Sequence, residues 1–443
     1  MMSDKSEIMN NISQIADNAI CTACGACAGI CPSHAVSIIT NTAGYLLAHI
    51  NADVCNNCGK CLKICPSNPE NTPYVNVDEI FHGGCLAGYV GYATDPEIRK
   101  RSQSGGIVTA LLCYLLEQKE IEGAIVNTLN RKTRRPEAIF AQSKDDIINA
   151  CGSYYAQSSV SKTILENTSE NTAAVVLGCQ AESLQLIHER FPNVHLPKYT
   201  IGLICAGQYS GNMIDSLVTE SGCELNSVSG FRFRDKSVGW PGDVHVVADN
   251  NDYWLSKNRR HALKKVYELH RCIPCYDQMN IFSDIVCGDP WGISHKQQSE
   301  GNTVIIARTE IGKKLLENAT RDGVIILENL STDDIMRGQT VDDRHKTKFY
   351  TSKDIFYNNN WMYPYSEKLF GQTAFSSSNK TTLLDITKRL EYSRDLYLTT
   401  GEKDYHEKIN LQTRILQGNI LVRIKRKTFR LGGKVLRLFA LIK

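Results

Sequence analysis

Eight of the 17 cysteines lie between positions 21 and 65, in two copies of one motif. The run CTACGACAGICPS at 21–33 recurs as CNNCGKCLKICPS at 55–67, and both copies have the spacing C-x2-C-x2-C-x3-C-P. Three cysteines in a tight loop can bind three irons of one cubane, while the fourth points at a second cubane. Zinc sites usually combine two C-x2-C pairs a dozen or more residues apart, which this pattern does not match. The motif therefore predicts two 4Fe–4S clusters.

The same spacing predicts how the ligands divide, because the last cysteine of each copy binds the cluster of the other copy. The first cluster is expected on Cys21, Cys24, Cys27 and Cys65, and the second on Cys55, Cys58, Cys61 and Cys31. The runs AVSIIT and YLLAHI between the copies are predicted to form short strands. Over about residues 18–70 this module resembles two-cluster bacterial ferredoxins, which implies a small (βαβ)2 fold.

Composition limits the class of protein. Hydrophobic residues make up 42% of the chain, charged residues 22%, and the net charge is +3, so nothing global suggests nucleic acid as a partner. No apolar stretch approaches the ~20 residues that span a bilayer, and the first residues lack the apolar core of a secretory signal. We therefore expect a cytoplasmic protein, in which an odd number of cysteines indicates metal or redox sites.

After a polar segment at 68–80, short apolar strands alternate with helical segments. The pattern predicts a helix over 106–118 and a strand over 88–95. Further strands are predicted at GAIVNTL, TAAVVLG, IGLICAG and NTVIIAR. This alternation indicates α/β organisation, so the whole chain is expected to be α+β or α/β.

The predicted helix at 106–118 begins at Ser104-Gly105-Gly106, with Arg99, Lys100 and Arg101 just before it. A glycine-rich helix start beside cations can bind a phosphate. A simple helix cap would explain the same residues. The motif alone leaves both interpretations open.

Four more cysteines follow or adjoin apolar strands, and two of them form a C-x2-C pair. They are Cys179, Cys205, Cys272 and Cys275. Four cysteines from three segments fit a third cluster or a zinc site, and the C-x2-C pair alone fits a redox dithiol. Buried packing is the prediction for the cysteines without partners at ligand spacing, which are Cys85, Cys113, Cys151 and Cys223. For Cys287, beside the GDPWG turn, the prediction is intermediate between a buried packing residue and a site residue.

Several segments between residues 84 and 320 together resemble the beta subunits of coenzyme F420-reducing hydrogenases and dehydrogenases and 7-hydroxymethyl chlorophyll a reductase. The resembling segments, in family order, are SQSGGIVTALL, LGCQ, GLICAGQYSG, FRFRDKSVGWPG, HRCIPCYDQMNIFSDIVCGDPWG and GNTVIIARTEIGKKLL. The resemblance implies an α/β FAD-binding domain with a further 4Fe–4S cluster near the flavin. The third cluster would use Cys179, Cys205, Cys272 and Cys275, although Cys179 could instead be a small buried hydrophobe. The implied flavin contacts are Ser102, Ser104, Gly105, Gly106 and Thr109.

This resemblance gives a domain plan and a function. The predicted segments are an N-terminal tail (1–17), a ferredoxin-like domain (18–70), a linker (71–83), a flavin domain (84–355) and a basic helical C-terminal extension (356–443). Clusters carry single electrons, whereas flavin also delivers pairs. We therefore expect a reductase that passes electrons from ferredoxin through the clusters to FAD. The FAD would reduce a small-molecule or coenzyme F420-like acceptor, or the electrons would flow in the reverse direction. The alternative is a non-catalytic electron-transfer subunit.

Candidate acid/base or substrate-steering groups lie in and beside the cysteine-rich segment, and turn or cap roles explain its acids equally well. They are His270, Arg271, Asp277, Asp284, Asp289 and Trp291. Arg232, Arg234 and Lys236 alternate along a predicted strand, giving a basic face for an anionic ligand or a solvated face.

The C-terminal segment 408–443 contains ten basic residues and no acidic one, interleaved with apolar residues. A basic amphipathic helix binds an anionic membrane surface or packs on the acidic remainder of the protein, and both interpretations stay open. Membrane binding at the inner face would favour a lipid-linked or glycan-precursor substrate. Unchanged membrane fractionation after deletion of 408–443 would exclude that hypothesis.

Overall fold

The computed structural model describes residues 10–72, 79–167, 169, 171–293, 298–366 and 380–415. Its first part is a small module with one two-stranded antiparallel sheet, in which Val36 pairs with Ile50 and Thr40 with Leu46. The two strands predicted between the cysteine motifs are therefore present. The module comprises α1 (Ser13–Asp17), α2 (Ala26–Gly29), β1 (Val36–Thr40), β2 (Leu46–Ile50) and α3 (Lys60–Lys63).

The main body is built on an eight-stranded mixed sheet. Its strands are β3 (Ala87–Ala93), β4 (Gly123–Asn130), β5 (Arg135–Ala141), β6 (Thr172–Val176), β7 (Tyr199–Leu203), β11 (Ile285–Gly288), β12 (Thr303–Ala307) and β13 (Ile325–Asn329). Their order across the sheet is β13-β3-β12-β11-β7-β6-β4-β5. Four adjacent strands, β11, β7, β6 and β4, are parallel, and all the other neighbouring pairs are antiparallel.

The parallel strands are short apolar runs because both faces of this part of the sheet are covered by helices. Ile201 of β7 and Ile285 of β11 are fully buried. The strands predicted from apolar runs match β3, β4, β6, β7 and β12, which confirms the mixed α and β composition. Carboxyl ends of parallel strands are where such sheets usually bind ligands. Cys179, Cys205 and Asp289 follow the ends of β6, β7 and β11.

Helices cover the sheet and connect its strands. They are α4 (Pro96–Arg101), α5 (Ile107–Glu117), α6 (Lys144–Asn149), α7 (Val160–Glu166), α8 (Gly178–Arg190), α9 (Asn212–Glu220), α10 (Lys257–Tyr267), α11 (Glu310–Arg321), α12 (Thr332–Gly338), α13 (Thr347–Asn358) and α14 (Lys380–Tyr397). A further helix occupies 402–415. Among the described residues, no helix is both long and apolar enough to cross a bilayer.

A second, three-stranded antiparallel sheet in the order β10-β9-β8 packs beside α9 and α10. It consists of β8 (Val228–Asp235), β9 (Asp243–Ala248) and β10 (Asn251–Leu255). The basic segment expected on a strand thus begins in β8, and Lys236 lies just beyond its end.

The N-terminal module packs directly on the main body through α2, which lies against α7. The amide of Ser161 donates to the Cys24 carbonyl at 2.9 Å, and the Ser159 hydroxyl donates to the Ala23 carbonyl at 3.2 Å. A Cβ on Gly25 would lie 2.7 Å from the Lys162 Cβ, so this contact requires glycine. The first cysteine motif is therefore held against the main body.

The C-terminal part contributes to the core through α14. Arg389 forms an ion pair with the buried Glu268, which also receives Lys348 Nζ at 3.3 Å. Burial would raise the pKa of Glu268, but the two cations outweigh it and hold the pKa at about 2. Parts of the predicted linker (73–78) and of the basic tail (416–443) lie outside the described residues.

Arg389→Ala is expected to lower the free energy of unfolding by about 2–3 kcal/mol at pH 7, because it leaves Glu268 buried with one cation. Glu268 is ionised above its unfolded pKa, so its stabilising contribution is fully present there and is lost as pH falls toward about 2. Denaturant unfolding measures the loss. Arg321→Ala is the matched control, because Arg321 is an exposed arginine paired with Asp322. Equal stabilities of the two variants would contradict the structural role of α14.

Candidate redox site

The structure brings Cys21, Cys24, Cys27 and Cys65 around one cavity, which Ile12, Ile38 and Ile64 also line. Burial raises the pKa of the Cys27 thiol, and the other three thiols raise it further. Backbone amides donate to the sulfurs of Cys21 at 3.4 Å and of Cys65 at 3.4 Å. Buried thiols that repel one another as thiolates are stabilised when iron replaces their protons. These four residues therefore fit the cluster predicted from their spacing.

The second set lies nearer the surface. Cys58 is exposed, Cys31 and Cys55 are half-buried, and Cys61 is buried. Burial raises the pKa of Cys61, with smaller contributions from Cys31 and Cys58, so these thiols are close together. The amide of Ala35 donates to Cys31 Sγ at 3.3 Å. The second set of thiols is therefore the one nearer to solvent.

The third set combines the start of α8, the end of β7 and the turn after α10. Burial raises the pKa of Cys179, and the neighbouring thiols, including Cys272, Cys275 and Cys205, raise it further. Gln208 donates from its amide to Cys272 Sγ at 3.3 Å and from its side chain to Cys179 Sγ at 3.8 Å. The four cysteines that the resemblance implied thus converge from three segments. Their mutual repulsion and amide donors fit a third cluster.

The first and third sets are neighbours. After burial, the strongest influence on the pKa of Cys179 comes from the Cys24 thiol. The two side chains are therefore close together. Among the described residues, no group of three or more His, Cys, Asp or Glu side chains is spaced to hold a single metal ion. The first and third cysteine sets therefore adjoin across the contact between the module and the main body.

The Ser104-Gly105-Gly106 turn packs against the end of β11. The Ser104 hydroxyl donates to the Asp289 carboxylate, which also pairs with Arg234. A Cβ on Gly105 would lie 2.6 Å from the Gly91 carbonyl oxygen, and Gly106 has a φ of +84°. The turn therefore requires glycine at both positions, and Gly106 is the N-cap residue of α5.

Two other residues implied as flavin contacts meet at Cys151, which was predicted from sequence to be a packing residue. The Ser102 hydroxyl lies 3.7 Å from Cys151 Sγ, and the Thr109 hydroxyl lies 3.2 Å from the same sulfur. Cys151 is half-buried and lines a cavity beside this turn. The position of Cys151 beside Ser102 and Thr109 could not be predicted from local sequence, because it depends on where the fold places the 151–155 loop.

A cavity of about 1050 Å³ opens beside this turn. Six basic and three acidic residues line it, so its lining favours an anionic ligand: Arg99, Lys100, Arg101, Arg131, Arg232 and Lys236 against Glu97, Asp235 and Glu300. Lys236 Nζ donates to the carbonyl of Ser104 at 2.6 Å and to that of Arg99 at 2.5 Å, which fixes the turn beside the cavity. Burial lowers the pKa of Lys236 to about 8.

The three basic residues of β8 and its end do not form a solvated face. Arg232 lines the cavity and donates to the Arg101 carbonyl at 3.1 Å. Arg234 is buried and contacts Asp289, Tyr155 and the Pro241 carbonyl. Within the described part of the chain, Arg234 Nη2 and Trp240 Nε1 are buried without a hydrogen-bond partner. Neither Arg234 nor Trp240 is among the residues that line the cavity.

Aromatic residues connect the third cysteine set with the glycine turn. Tyr209 is buried beside Cys205 and Cys272, and its ring centroid lies 6.5 Å from that of Tyr155. Tyr155 accepts hydrogen bonds from Gln103 at 3.0 Å and from Arg234 at 3.2 Å. This tyrosine pair was not predicted from sequence, because neither residue belongs to a motif with chemical meaning.

The acid/base candidates separate into different roles. His270 is buried against α14, and burial lowers its pKa to about 3, so it is a neutral packing residue at pH 7. Asp277 is buried beside Gly178, and burial raises its pKa to about 6. Asp284 accepts from Thr200 and Thr309 and thus joins strand ends. Asp289 is the acid that contacts the glycine turn. Trp291 packs on Trp240, with 4.8 Å between the ring centroids.

Comparison with known families matches three segments of the chain to family models. Residues 20–68 match the model "4Fe-4S dicluster domain". Residues 88–165 match the N-terminal model, and residues 169–333 the C-terminal model, of "Coenzyme F420 hydrogenase/dehydrogenase, beta subunit". The chain belongs to the coenzyme F420 hydrogenase/dehydrogenase beta-subunit family, joined to an N-terminal dicluster domain. It is an iron–sulfur protein with a role in electron transfer.

Curated relatives of the chain are named as parts of F420-dependent oxidoreductases. Coenzyme F420 hydrogenase subunit beta of Methanothermobacter thermautotrophicus is 25% identical over 241 residues, which are 52% of this chain and 80% of the relative. F420-dependent formate dehydrogenase subunit beta of Methanocaldococcus jannaschii is 26% identical over 251 residues, 54% of this chain and 61% of the relative. A chain of the F420-reducing NiFe hydrogenase complex from Methanosarcina barkeri matches with a TM-score of 0.49 and 23% identity, covering 63% of this chain and 96% of that chain.

Proposed function

We propose that this chain is an iron–sulfur flavoprotein oxidoreductase with three 4Fe–4S clusters and one FAD. When bound, the clusters supply single electrons and the FAD exchanges them for electron pairs with a substrate. The observation that most supports this is the series of neighbouring cysteine sets, which leads from the exposed Cys58 toward the Ser104 turn. Lys236, which lines the basic cavity, donates to the Ser104 carbonyl.

Burial along the series favours electron entry at the module surface. The second set reaches solvent at Cys58, the first set is enclosed, and Cys24 of the first set adjoins Cys179 of the third. Tyr209 and Tyr155 then connect the third set with the glycine turn. A ferredoxin-type donor is therefore expected to dock at the Cys55–Cys58 loop, where its electron has the shortest path inward.

The basic cavity fits the diphosphate of FAD. Its volume of about 1050 Å³ is at the upper end of the range for small-molecule and cofactor sites. Arg101, Arg232 and Lys100 supply positive charge at its wall. The amides at the start of α5 lie beside it, and helix starts bind phosphate groups well.

Cofactor analysis of the anaerobically purified full chain tests this proposal. We expect about twelve iron atoms and one FAD per chain, because each cluster contains four irons. About eight irons without flavin would overturn it and leave an electron carrier. Addition of reduced ferredoxin should then bleach the flavin absorbance in the same preparation.

The names of the two relatives given above favour coenzyme F420 as the acceptor to test first, since F420 appears in both. Turnover of F420 or another acceptor by the isolated chain would support a self-contained reductase. Flavin reduction without turnover of any acceptor would instead support the alternative, an electron-transfer subunit whose partner holds the substrate. The exposed Trp291, packed on Trp240, is a candidate surface for a planar acceptor.

Arg232→Glu is expected to weaken FAD binding by about tenfold or more, because it places a negative charge at the wall of a cavity that should hold a diphosphate. Fluorescence titration of the flavin-depleted protein with FAD measures the change. Arg321→Glu is the matched control, since Arg321 is exposed on α11 away from the lining residues. An FAD affinity equal to that of the control variant would show that the diphosphate lies elsewhere.

A further inference from the structure

One buried arginine touches the ligand segments of two cysteine sets. Arg271 is 1% exposed and directly precedes Cys272 of the third set. Its Nε donates to the Ser67 hydroxyl at 2.8 Å, and its Nη2 donates to the Pro66 carbonyl at 3.1 Å. Pro66 and Ser67 directly follow Cys65 of the first set. The guanidinium therefore bridges the module and the main body at the point where two cluster sites adjoin.

The guanidinium lies close to thiols of both sets. It is near enough to Cys65 to act electrostatically on that thiol. It is likewise within electrostatic range of Cys272, its neighbour in the chain, and of Cys275. The Ser67 amide donates to Cys65 Sγ at 3.4 Å, so the hydroxyl and amide of one residue connect the arginine to a ligand sulfur. The same cation thus favours negative charge in two places.

Arg271 is held there by packing as well as by hydrogen bonds. Its guanidinium lies 4.6 Å from the centre of the Tyr365 ring, which covers it on one side. The buried Glu182 is near enough to contribute to its electrostatic surroundings. A buried arginine does not lose its proton in proteins, so this charge is permanent. Its solvation is replaced by fixed contacts, and its field is only weakly screened.

We infer that Arg271 is a positioning residue that raises the reduction potentials of the first and third clusters together. This inference rests on the third cluster of the proposed function. Reduction adds one negative charge to a cluster, and a permanent cation beside both sites favours that added electron. Because one charge acts on both clusters, it shifts both potentials in the same direction and does not oppose electron transfer between the module and the main body.

The test is redox titration of the full chain with dithionite, followed by EPR of the reduced clusters. Arg271→Gln should lower the midpoint potentials of the first and third clusters, with a smaller change in the second cluster, whose loop is exposed to solvent. Arg271→Lys retains the charge and should keep both potentials near those of the wild type. The EPR signal of the third cluster is assigned by its loss in Cys272→Ser.

Two further variants keep the inference testable. Ser67→Asp places a carboxylate against the arginine and should lower the same two potentials, even where Arg271→Gln does not assemble. Arg260→Gln is the matched control, because Arg260 is a buried arginine bonded to the Phe233 carbonyl at 2.6 Å on β8, and it should leave the cluster potentials unchanged.

The outcomes separate this inference from the proposed function. Twelve irons with unchanged potentials in Arg271→Gln and Ser67→Asp would overturn the role of Arg271 and leave the proposed function intact. A fall in only one of the two potentials would overturn the shared action. About eight irons in the wild type would overturn both the third cluster and the inference built on it.

Discussion

Cys272→Ser is expected to lower the iron content from about twelve to about eight atoms per chain, because a 4Fe–4S cluster with one thiolate missing is readily lost. Cys272 receives an amide hydrogen bond from Gln208 and is near Cys205 and Cys275, so its sulfur lies within the third set. Loss of this cluster should also interrupt electron flow between the module and the flavin. The flavin should then remain oxidised when reduced ferredoxin is added, while the module clusters are still reduced.

Iron analysis and EPR of anaerobically purified protein measure this effect. Cys223→Ser is the matched control, since Cys223 is buried in the core under the three-stranded sheet and contacts the Ser221 hydroxyl at 3.4 Å. That variant should retain about twelve irons. Retention of twelve irons in Cys272→Ser would show that Cys272 is not a ligand. Direct reduction of the flavin by dithionite distinguishes a broken electron path from a lost flavin.

The parts of the site that depend on local spacing were predictable from sequence. The two cysteine motifs fix their ligands within short loops, so their division between two sets follows from spacing alone. The helix over 106–118 was expected, and the structure places α5 at Ile107–Glu117. Strands β3, β6 and β12 were likewise visible as apolar runs, because burial on both faces requires them.

The parts that depend on long-range pairing were not predictable. β12 lies between β3 and β11 in the sheet, an order that no local pattern specifies. Ser104 meets Asp289 across 185 positions, and Arg389 meets Glu268 across 121. From sequence, Asp289 was interpreted as a turn residue with a weak catalytic alternative. Its contact with the glycine turn became apparent only when the end of β11 was placed beside α5.

The contacts of the C-terminal part were likewise not predictable from sequence. A basic helical extension was expected over 356–443, and its described part contains α14 and the 402–415 helix. Composition gave no reason to expect that α14 would contact the cluster region. Its Leu390 carbonyl and Ser393 hydroxyl both lie near His270 Nδ1, two positions before Cys272. The helix therefore supports the turn that holds the third cysteine set.

Gly105→Ala is expected to abolish FAD binding and to lower the free energy of unfolding by about 1–3 kcal/mol. The added Cβ would lie 2.6 Å from the Gly91 carbonyl oxygen and 2.9 Å from the Thr303 amide nitrogen. Both atoms belong to backbone of the central sheet, which cannot move aside cheaply. The glycine turn must therefore shift away from β3 and β12, and Ser104 and the start of α5 shift with it.

Thermal unfolding with and without added FAD separates the two effects. FAD should raise the melting temperature of the wild type but not of Gly105→Ala, because a ligand stabilises only the folded form that binds it. Gly84→Ala is the matched control, since a Cβ at that exposed glycine meets no atom within 4 Å. It should retain both the wild-type stability and the FAD-dependent rise. A rise of wild-type size in Gly105→Ala would show that the turn does not contribute to the flavin site, whatever its effect on stability.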